Sequence, residues 1–292
     1  MRPNIDILLW GRLRDYLEED LGYGDVTSMA LIPEDQKARG TLFYRERGVA
    51  SGLAEAAAVF ELLGCDVDLK AEKGRWVEPG EPLLVAVGRA RSLLAGERLA
   101  LNLVGHMAGI ATQTRQVVDE LANRGLSTRV AATRKTLPGL RELEKKAVVH
   151  GGGDPHRFRL DDCVLIKDNH LRLLPGVGEA VRLARERVSF TKKIEVEVGD
   201  VAGAVEAAEA GADIVMLDNM GPDEVRECLG VLESKGLRGR VLVEASGGIK
   251  PSNVVQYAEA GVDVVSMGFL THSVRSLDVK LEIEMLPQGL GP

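Results

Sequence analysis

From about residue 128 onward the chain repeats one pattern. A short apolar run is followed by a polar or glycine-rich break, then by a longer stretch with helical spacing. The apolar runs fall at 129–134, 163–167, 194–198, 212–218, 241–245 and 262–267, and the helical stretches include 178–187, 200–210, 222–234 and 251–260. Two of those helices run into Ala-Gly, at Ala210-Gly211 and Ala260-Gly261, as a glycine C-cap requires. Short apolar strands alternating with helices predict a parallel sheet covered on both faces. Six strands are fewer than the eight of a closed barrel, so an incomplete barrel and an open doubly wound sheet both fit. No Gly-x-Gly-x-x-Gly follows the first strand, which argues against dinucleotide binding.

The first hundred residues read differently. Residues 5–21 have helical spacing through Leu8, Leu9, Leu13 and Leu17; 40–49 read as a strand and 53–63 as a helix. Residues 73–88 alternate strand and turn with a glycine spacing that resembles biotinyl or lipoyl carrier domains, but no lysine stands at a hairpin tip to carry the group. The segment is therefore read as structural. A long helix over 93–121 leads into the second region, and 277–286 is placed to return to the first. The expected division is a 1–110 domain, with 276–292 packing back on it, and a 111–275 domain.

Composition narrows the function. The 292 residues carry a formal charge of -7, so the overall field disfavours nucleic acid. Three widely spaced cysteines and no Cys-x-x-Cys pair predict a reduced, cytoplasmic setting. The N-terminal residues lack a signal-peptide pattern, and no run approaches the roughly 18 apolar residues of a membrane span.

Against that acidic background, residues 129–167 hold nine Lys/Arg and five Asp/Glu. Arg141, Lys145 and Lys146 read as a solvated helix face. Arg134, Lys135 and Lys167 do not, because they end apolar strands. Together with His156 and Arg157, in a glycine-rich loop, they would repel one another unless a dense anion sat among them, which predicts a substrate rich in carboxylate or phosphate. Polar residues recur at the other strand ends: Glu197, Asp218, Ser246 and Gly268. In either α/β architecture those ends share the ligand-binding face.

Val243-Glu-Ala-Ser-Gly-Gly-Ile249 has the form of a phosphate cradle, with a helix near Pro251 offering its positive end, and Gly268-Phe-Leu-Thr-His272 closes the next strand in the same style. Glu197 and Asp218 could hold Mg²⁺, take up sugar hydroxyls, or pair with Lys167 or Arg134. Only one of Glu195 and Glu197 is expected to face the pocket. His106 and His170 fit a ligand contact or a buried hydrogen bond equally, and no two histidines have metal-ligand spacing. Asp25 reads as a turn residue or a helix cap.

These motifs, taken in order, resemble the quinolinate phosphoribosyltransferase family. They are Glu19 to Ser28, Glu97-Arg98, Asn102 to Thr112, Thr133 to Arg141, Gly151-Gly-Gly, His156-Arg157, Leu165-Ile-Lys-Asp-Asn-His170, Glu195-Val-Glu197, Leu217-Asp-Asn219, Glu244-Ala-Ser-Gly-Gly248 and Gly268 to Ser273. The resemblance spans about residues 15–280. Ala132 and Ala245 depart from the family's usual Asp and Ser without removing a proposed ligand.

The resemblance implies an α/β sandwich domain joined to an open, incomplete parallel α/β barrel. It implies a homodimer, with hexamers of dimers as a further option, in which each site is completed by the partner's N-terminal domain. It implies Mg²⁺ and the conversion of quinolinate and phosphoribosyl pyrophosphate to nicotinate mononucleotide, pyrophosphate and CO₂ in NAD biosynthesis. Carried over by position, Arg134, His156 and Arg157 hold the quinolinate carboxylates, with Arg98 reaching in from the other subunit. Lys135 and Lys167 neutralise the pyrophosphate and a nearby carboxylate. Glu197 and Asp218 meet the ribose hydroxyls, directly or through Mg²⁺. Ser246, Gly247, Gly248 and Gly268 bind the 5′-phosphate, with His272 near it. The competing readings are another pyridine or nucleobase transferase, including the paralogue associated with molybdate-transport operons, and a non-enzymatic phosphate-ligand module.

Overall fold

The computed structural model describes residues 7–287. Among them are twelve strands: β1 (Lys37–Tyr44), β2 (Gly48–Val49), β3 (Asp66–Leu69), β4 (Trp76–Val77), β5 (Pro82–Arg89), β6 (Arg129–Ala131), β7 (Val164–Ile166), β8 (Ile194–Val198), β9 (Ile214–Asp218), β10 (Leu242–Ser246), β11 (Val264–Ser266) and β12 (Val279–Met285). The chain forms two compact units. One runs to Thr112 and resumes at Val274; the other is Gln113–Ser273.

In the first unit an antiparallel sheet has the order β12-β1-β5-β3. Strand β12 runs beside β1 from Ala38↔Met285 to Tyr44↔Val279. Alternate β1 residues Ala38, Gly40, Leu42 and Tyr44 point inward and are buried, the two-residue period of a half-covered sheet. The helix Leu53–Leu62 buries Val59 and Phe60, and the helix Ile7–Leu21 buries Leu9, Leu13 and Leu17. Asp25 caps the helix Val26–Leu31 by accepting from the Thr27 and Ser28 amides.

The strand expected over 40–49 is instead two pieces. The charged run Arg45-Glu46-Arg47 turns outward, where Arg47 pairs with Glu78 at 2.9 Å and lies 4.4 Å from the Trp76 ring centre. Gly48 and Val49 then pair with β4. The expected long helix is longer still, Ala90–Asn123, its first part in this unit and its last in the other.

The second unit is a six-stranded sheet in the order β6-β11-β10-β9-β8-β7; every neighbouring pair is parallel. Strands β7 to β11 follow one another in sequence, and β6 joins beyond β11, so the opening lies between β6 and β7. That is a singly wound, incomplete barrel, and it settles the choice against a doubly wound sheet.

The outward residues Val196, Val198, Val215, Leu217, Val243, Ala245 and Val265 form one buried cluster with helix residues such as Ala204, Ala207, Val225 and Leu232. Each fully buried valine or leucine there contributes about 1.5–3 kcal/mol. The inward face is different. Glu195, Met216, Glu244 and Ser266 lie outside that cluster. The expectation of a sheet covered by helices on both faces is thus corrected: helices cover one, and the other surrounds polar side chains. The helices Val201–Glu209 and Val254–Ala260 do end at glycines of positive φ, Gly211 (88°) and Gly261 (101°).

Candidate active site

Strand ends and loops at the carboxyl side of the barrel surround a cavity of about 450 Å³. Its lining includes Arg134, Lys135, His156, Arg157, Lys167, Glu197, Asp218, Ser246, Gly247 and Gly248. Ten of the thirteen residues expected from sequence therefore converge on one space. Gly268 borders it at one remove: a Cβ built there would stand 2.9 Å from Lys135 Cδ. His272 is exposed and bonds Ser273 Oγ through Nδ1 at 2.8 Å. Arg98 is exposed on the helix Ala90–Asn123 and does not line the cavity.

Local structure sets each cation. Strand β6 stops at Ala131, short of the expected Arg134, because the chain turns. Thr133 Oγ1 accepts from the Lys135 amide at 3.1 Å, and the Thr136 amide donates to the Arg134 carbonyl at 2.9 Å. Arg134 and Lys135 thus sit on a loop. The Nε of Arg134 is buried without a hydrogen-bond partner among the described residues. A buried, unpaired guanidinium donor is costly, and an anion in the cavity would satisfy it. Lys167 follows β7 and pairs with Glu197, Nζ to Oε2 2.7 Å, with the Glu197 side chain 13% exposed. Asp218 ends β9 and accepts from the Asn219 side-chain amide at 2.6 Å.

The loop bearing His156 and Arg157 lies beside β6. Asp154 bridges to Ala131, and its carboxylate accepts from the His156 amide at 2.7 Å. Gly153 permits this approach, since a Cβ would stand 2.7 Å from Thr114 Cγ2 and 2.8 Å from Val148 Cγ1. His156 itself takes φ 52°, the left-handed region that L side chains seldom adopt.

Beneath the cavity His156 meets two buried carboxylates that sequence reasoning missed as a pair. Its Nε2 is 3.2 Å from Glu244 Oε2 and 3.6 Å from Glu195 Oε2, the second too long for a hydrogen bond. Residues i and i+2 of a strand share a face. Glu195 and Glu197 therefore both point inward, Glu195 deeper, which corrects the expectation that only one would. The same parity puts Glu244 below Ser246 and Met216 below Asp218, and would have placed Glu195 and Glu244 on one inward face.

Burial by itself lowers the basicity of His156, but the carboxylates of Glu195 and Glu244 outweigh it and push the pKa up to about 10. Burial, above all, and the charge of Glu244 raise Glu195, with His156 opposing them. Both shifts describe one proton held among three groups. The Arg157 amide donates to Nδ1 at 2.8 Å. The ring therefore presents its N–H at Nε2, and the shared proton lies on the carboxylate side.

A triad that holds its shared proton more tightly than a free histidine does stabilises fully below the ordinary 6.5 and loses that contribution as pH rises to about 10. Urea unfolding between pH 6 and 10 is expected to show falling stability in the wild type and a flatter profile in His156→Gln. Parallel profiles would contradict the triad.

Two residues and one helix depart from their expected settings. Lys145 is wholly buried, not part of a solvated face. His170 is exposed, and its Nδ1 accepts from the Lys167 amide at 2.9 Å. The helix after the glycine turn begins at Val254 rather than Pro251 and has only 7 residues, so its dipole adds little. The cradle is mainly backbone: Gly247 and Gly248 have φ 89° and 64°, and the Asn219 amide donates to the Ser246 carbonyl at 3.0 Å.

Fixed cations, two rim carboxylates and a glycine turn at the mouth of a parallel barrel define an enzyme that handles polyanionic, phosphorylated substrates. The comparisons specify it. The family described as "Quinolinate phosphoribosyl transferase, C-terminal domain" matches residues 110–282, and its N-terminal domain counterpart matches 25–108. A protein of Methanothermobacter thermautotrophicus named probable nicotinate-nucleotide pyrophosphorylase [carboxylating] is 47% identical over 94% of this chain and 98% of its own length. The human nicotinate-nucleotide pyrophosphorylase [carboxylating] is 39% identical over 87% of this chain and 85% of its own. The crystal structure of NadC from Streptococcus pyogenes superposes with a TM-score of 0.90 at 36% identity, covering 97% of this chain and 100% of that one. The chain belongs to the quinolinate phosphoribosyltransferase family.

The cradle has a direct test. A Cβ at Gly247 would lie 2.4 Å from Asn219 Oδ1 and 2.7 Å from its backbone nitrogen. The left-handed backbone adds roughly 1–2 kcal/mol of strain to any L side chain. Gly247→Ala is expected to weaken ribose 5-phosphate binding about tenfold or more by calorimetry. Unchanged affinity would remove Gly247 from the phosphate site.

Proposed function

We propose that the barrel mouth transfers a phosphoribosyl group from phosphoribosyl pyrophosphate to quinolinate. The C2 carboxylate is lost, giving nicotinate mononucleotide, pyrophosphate and CO₂ for NAD biosynthesis. One observation carries the reading: Arg134, Lys135, Arg157 and Lys167 share a cavity with Glu197, Asp218 and the glycine turn, in a chain of this family.

In this reading Arg134 and Arg157 fork onto the quinolinate carboxylates, a geometry suited to guanidinium, and His156 offers a further polar contact. Lys135 and Lys167 face the pyrophosphate. As the C1–oxygen bond breaks, its electron pair leaves with pyrophosphate, and fixed ammonium groups stabilise that developing charge. The pyridine nitrogen lone pair then forms the bond to C1, so the site must also hold the two substrates in line. The ribosylated nitrogen is cationic and stabilises the electron pair left at C2 when CO₂ departs; a proton takes its place. Ser246, Gly247, Gly248 and Gly268, with His272 nearby, receive the 5′-phosphate.

Glu197 and Asp218 suit Mg²⁺, which prefers hard oxygen donors. Lys167 engages one Glu197 oxygen and the Asn219 amide one Asp218 oxygen, leaving Oε1 and Oδ1 for other partners among the described residues. These two would hold the ion, which when bound neutralises pyrophosphate charge and orients the ribose hydroxyls. The triad His156, Glu195 and Glu244 has ligand atoms within 4.8 Å of one another, but a proton at Nε2 already fills that role.

The working form in this reading is a cytoplasmic homodimer, which could further assemble into hexamers, with Arg98 serving the partner's site. No helix among the described residues is long and apolar enough to cross a membrane. Arg98→Ala is expected to be inactive, and mixing it with Lys135→Ala is expected to restore part of the activity through hybrid dimers. No recovery despite demonstrated subunit exchange would refute a shared site. Calorimetry tests the acid site separately. Quinolinate is expected to bind about a hundredfold tighter than nicotinate, whose missing carboxylate forfeits one charge-assisted pair, and equal affinities would contradict the assignment.

A further inference from the structure

The helix Arg141–His150 carries charged side chains that the chemistry above leaves unused. Lys145 is 0% exposed. Its ammonium donates to the carbonyl of Pro155 and, at 2.7 Å, to that of Arg157. It also lies 5.3 Å from the Phe158 ring centre. Those carbonyls flank His156, the residue held at φ 52°.

The neighbouring turns of the helix act on the same region. Arg141 donates to the Phe158 carbonyl at 3.2 Å and to Thr136 Oγ1 at 3.1 Å. Glu144, also 0% exposed, accepts from the Leu137 amide at 3.3 Å, just beyond Lys135. One helix thus grips both cation-bearing loops.

Burying an ammonium costs several kcal/mol, and a methionine would fill the same space without that cost. Burial first, then the charge of Arg141, push Lys145 down to about 8, with Asp154 and Asp162 opposing and Arg134 assisting. The group is still an ammonium at pH 7, so the carbonyls meet a charged donor. The burial is offset by contacts directed at one loop, and that loop presents His156 and Arg157 to the cavity.

We infer that Lys145 is a positioning residue: its ammonium clamps the main chain on both sides of His156 and so aims His156 and Arg157 at the acid substrate. The inference rests on the reading that this loop grips quinolinate. It assigns Lys145 no contact with substrate; its effect passes through the loop.

Lys145→Met keeps an unbranched side chain one heavy atom shorter and removes the donors. Two measurements on the full-length protein test it. Hydrogen exchange is expected to accelerate tenfold or more at the amides of residues 154–159 and to stay unchanged in the outer helices. Calorimetry is expected to show quinolinate affinity reduced tenfold or more, with phosphoribosyl pyrophosphate affinity within twofold of wild type. Unchanged loop exchange and quinolinate affinity would overturn the proposal. So would equal weakening of both ligands with faster exchange throughout, which marks a merely structural lysine.

Should the methionine variant not fold, Lys145→Gln keeps a donor in reach of one carbonyl. It is expected to show the same two effects at smaller size, and wild-type values would again overturn the clamp. A wild type that does not bind quinolinate would sink the functional reading, while loop exchange would still test the clamp.

Discussion

Replacing Arg134 by alanine is expected to raise the dissociation constant for quinolinate between thirtyfold and a few thousandfold. Its Nε is buried and lacks a hydrogen-bond partner among the described residues, and its side chain lines the cavity beside Arg157 and Lys167. Removing one member of a buried charge pair costs about 2–5 kcal/mol, much of it from stranding the other charge. Lysine at this position is expected to recover only part of the loss, because a point charge cannot reproduce the fork. Phosphoribosyl pyrophosphate binding should change far less. A quinolinate constant within threefold of wild type would remove Arg134 from the acid site.

The second large effect is expected on turnover. Lys167→Met should lower kcat by about 10²–10³, the range found when one fixed donor to a developing anion is lost. The substitution acts twice. On the proposed reading it deletes a cation facing the leaving group, and it frees the Glu197 carboxylate, now held at 2.7 Å, to repel that same anion. Glu197→Gln, which also removes a proposed ion ligand, should therefore cost less in the Lys167→Met background than in the wild type, because there it relieves that repulsion. The pair should be non-additive by about 0.5–3 kcal/mol, as residues in contact usually are. Additive effects, or a kcat within threefold in the single variant, would place Lys167 outside the reacting centre.

Much of the barrel was legible because its signals are local. Apolar runs of five to seven residues, glycine stops and polar strand ends located all six strands and pointed to their functional face. The ordering of the strands was not local. Incomplete barrel and doubly wound sheet share one pattern, and only the pairing of β6 with β11 and the helices on a single face separate them. Site residues on strand ends and in glycine loops emerged for the same reason, whereas those whose neighbours come from distant sequence did not. Lys145 read as solvated because charge usually means exposure; its partners arrive from a loop ten residues on. Glu195 and Glu244 were hidden as a pair because their common partner is His156, and no spacing links the three. Their side-chain parity was available and went unused. Arg98 marks the opposite limit: the role proposed for it follows from the family pattern alone, since it lies outside the cavity lining.

The central claim is that this cluster of fixed cations grips a doubly acidic pyridine while the sugar is transferred. The most direct measurement is product stoichiometry with purified protein, phosphoribosyl pyrophosphate and Mg²⁺, supplied with either quinolinate or nicotinate. The account predicts one CO₂ and one pyrophosphate per nicotinate mononucleotide from quinolinate, and no turnover of nicotinate. Nucleotide formed from nicotinate as readily as from quinolinate, or formed from quinolinate with its second carboxylate retained, would contradict it.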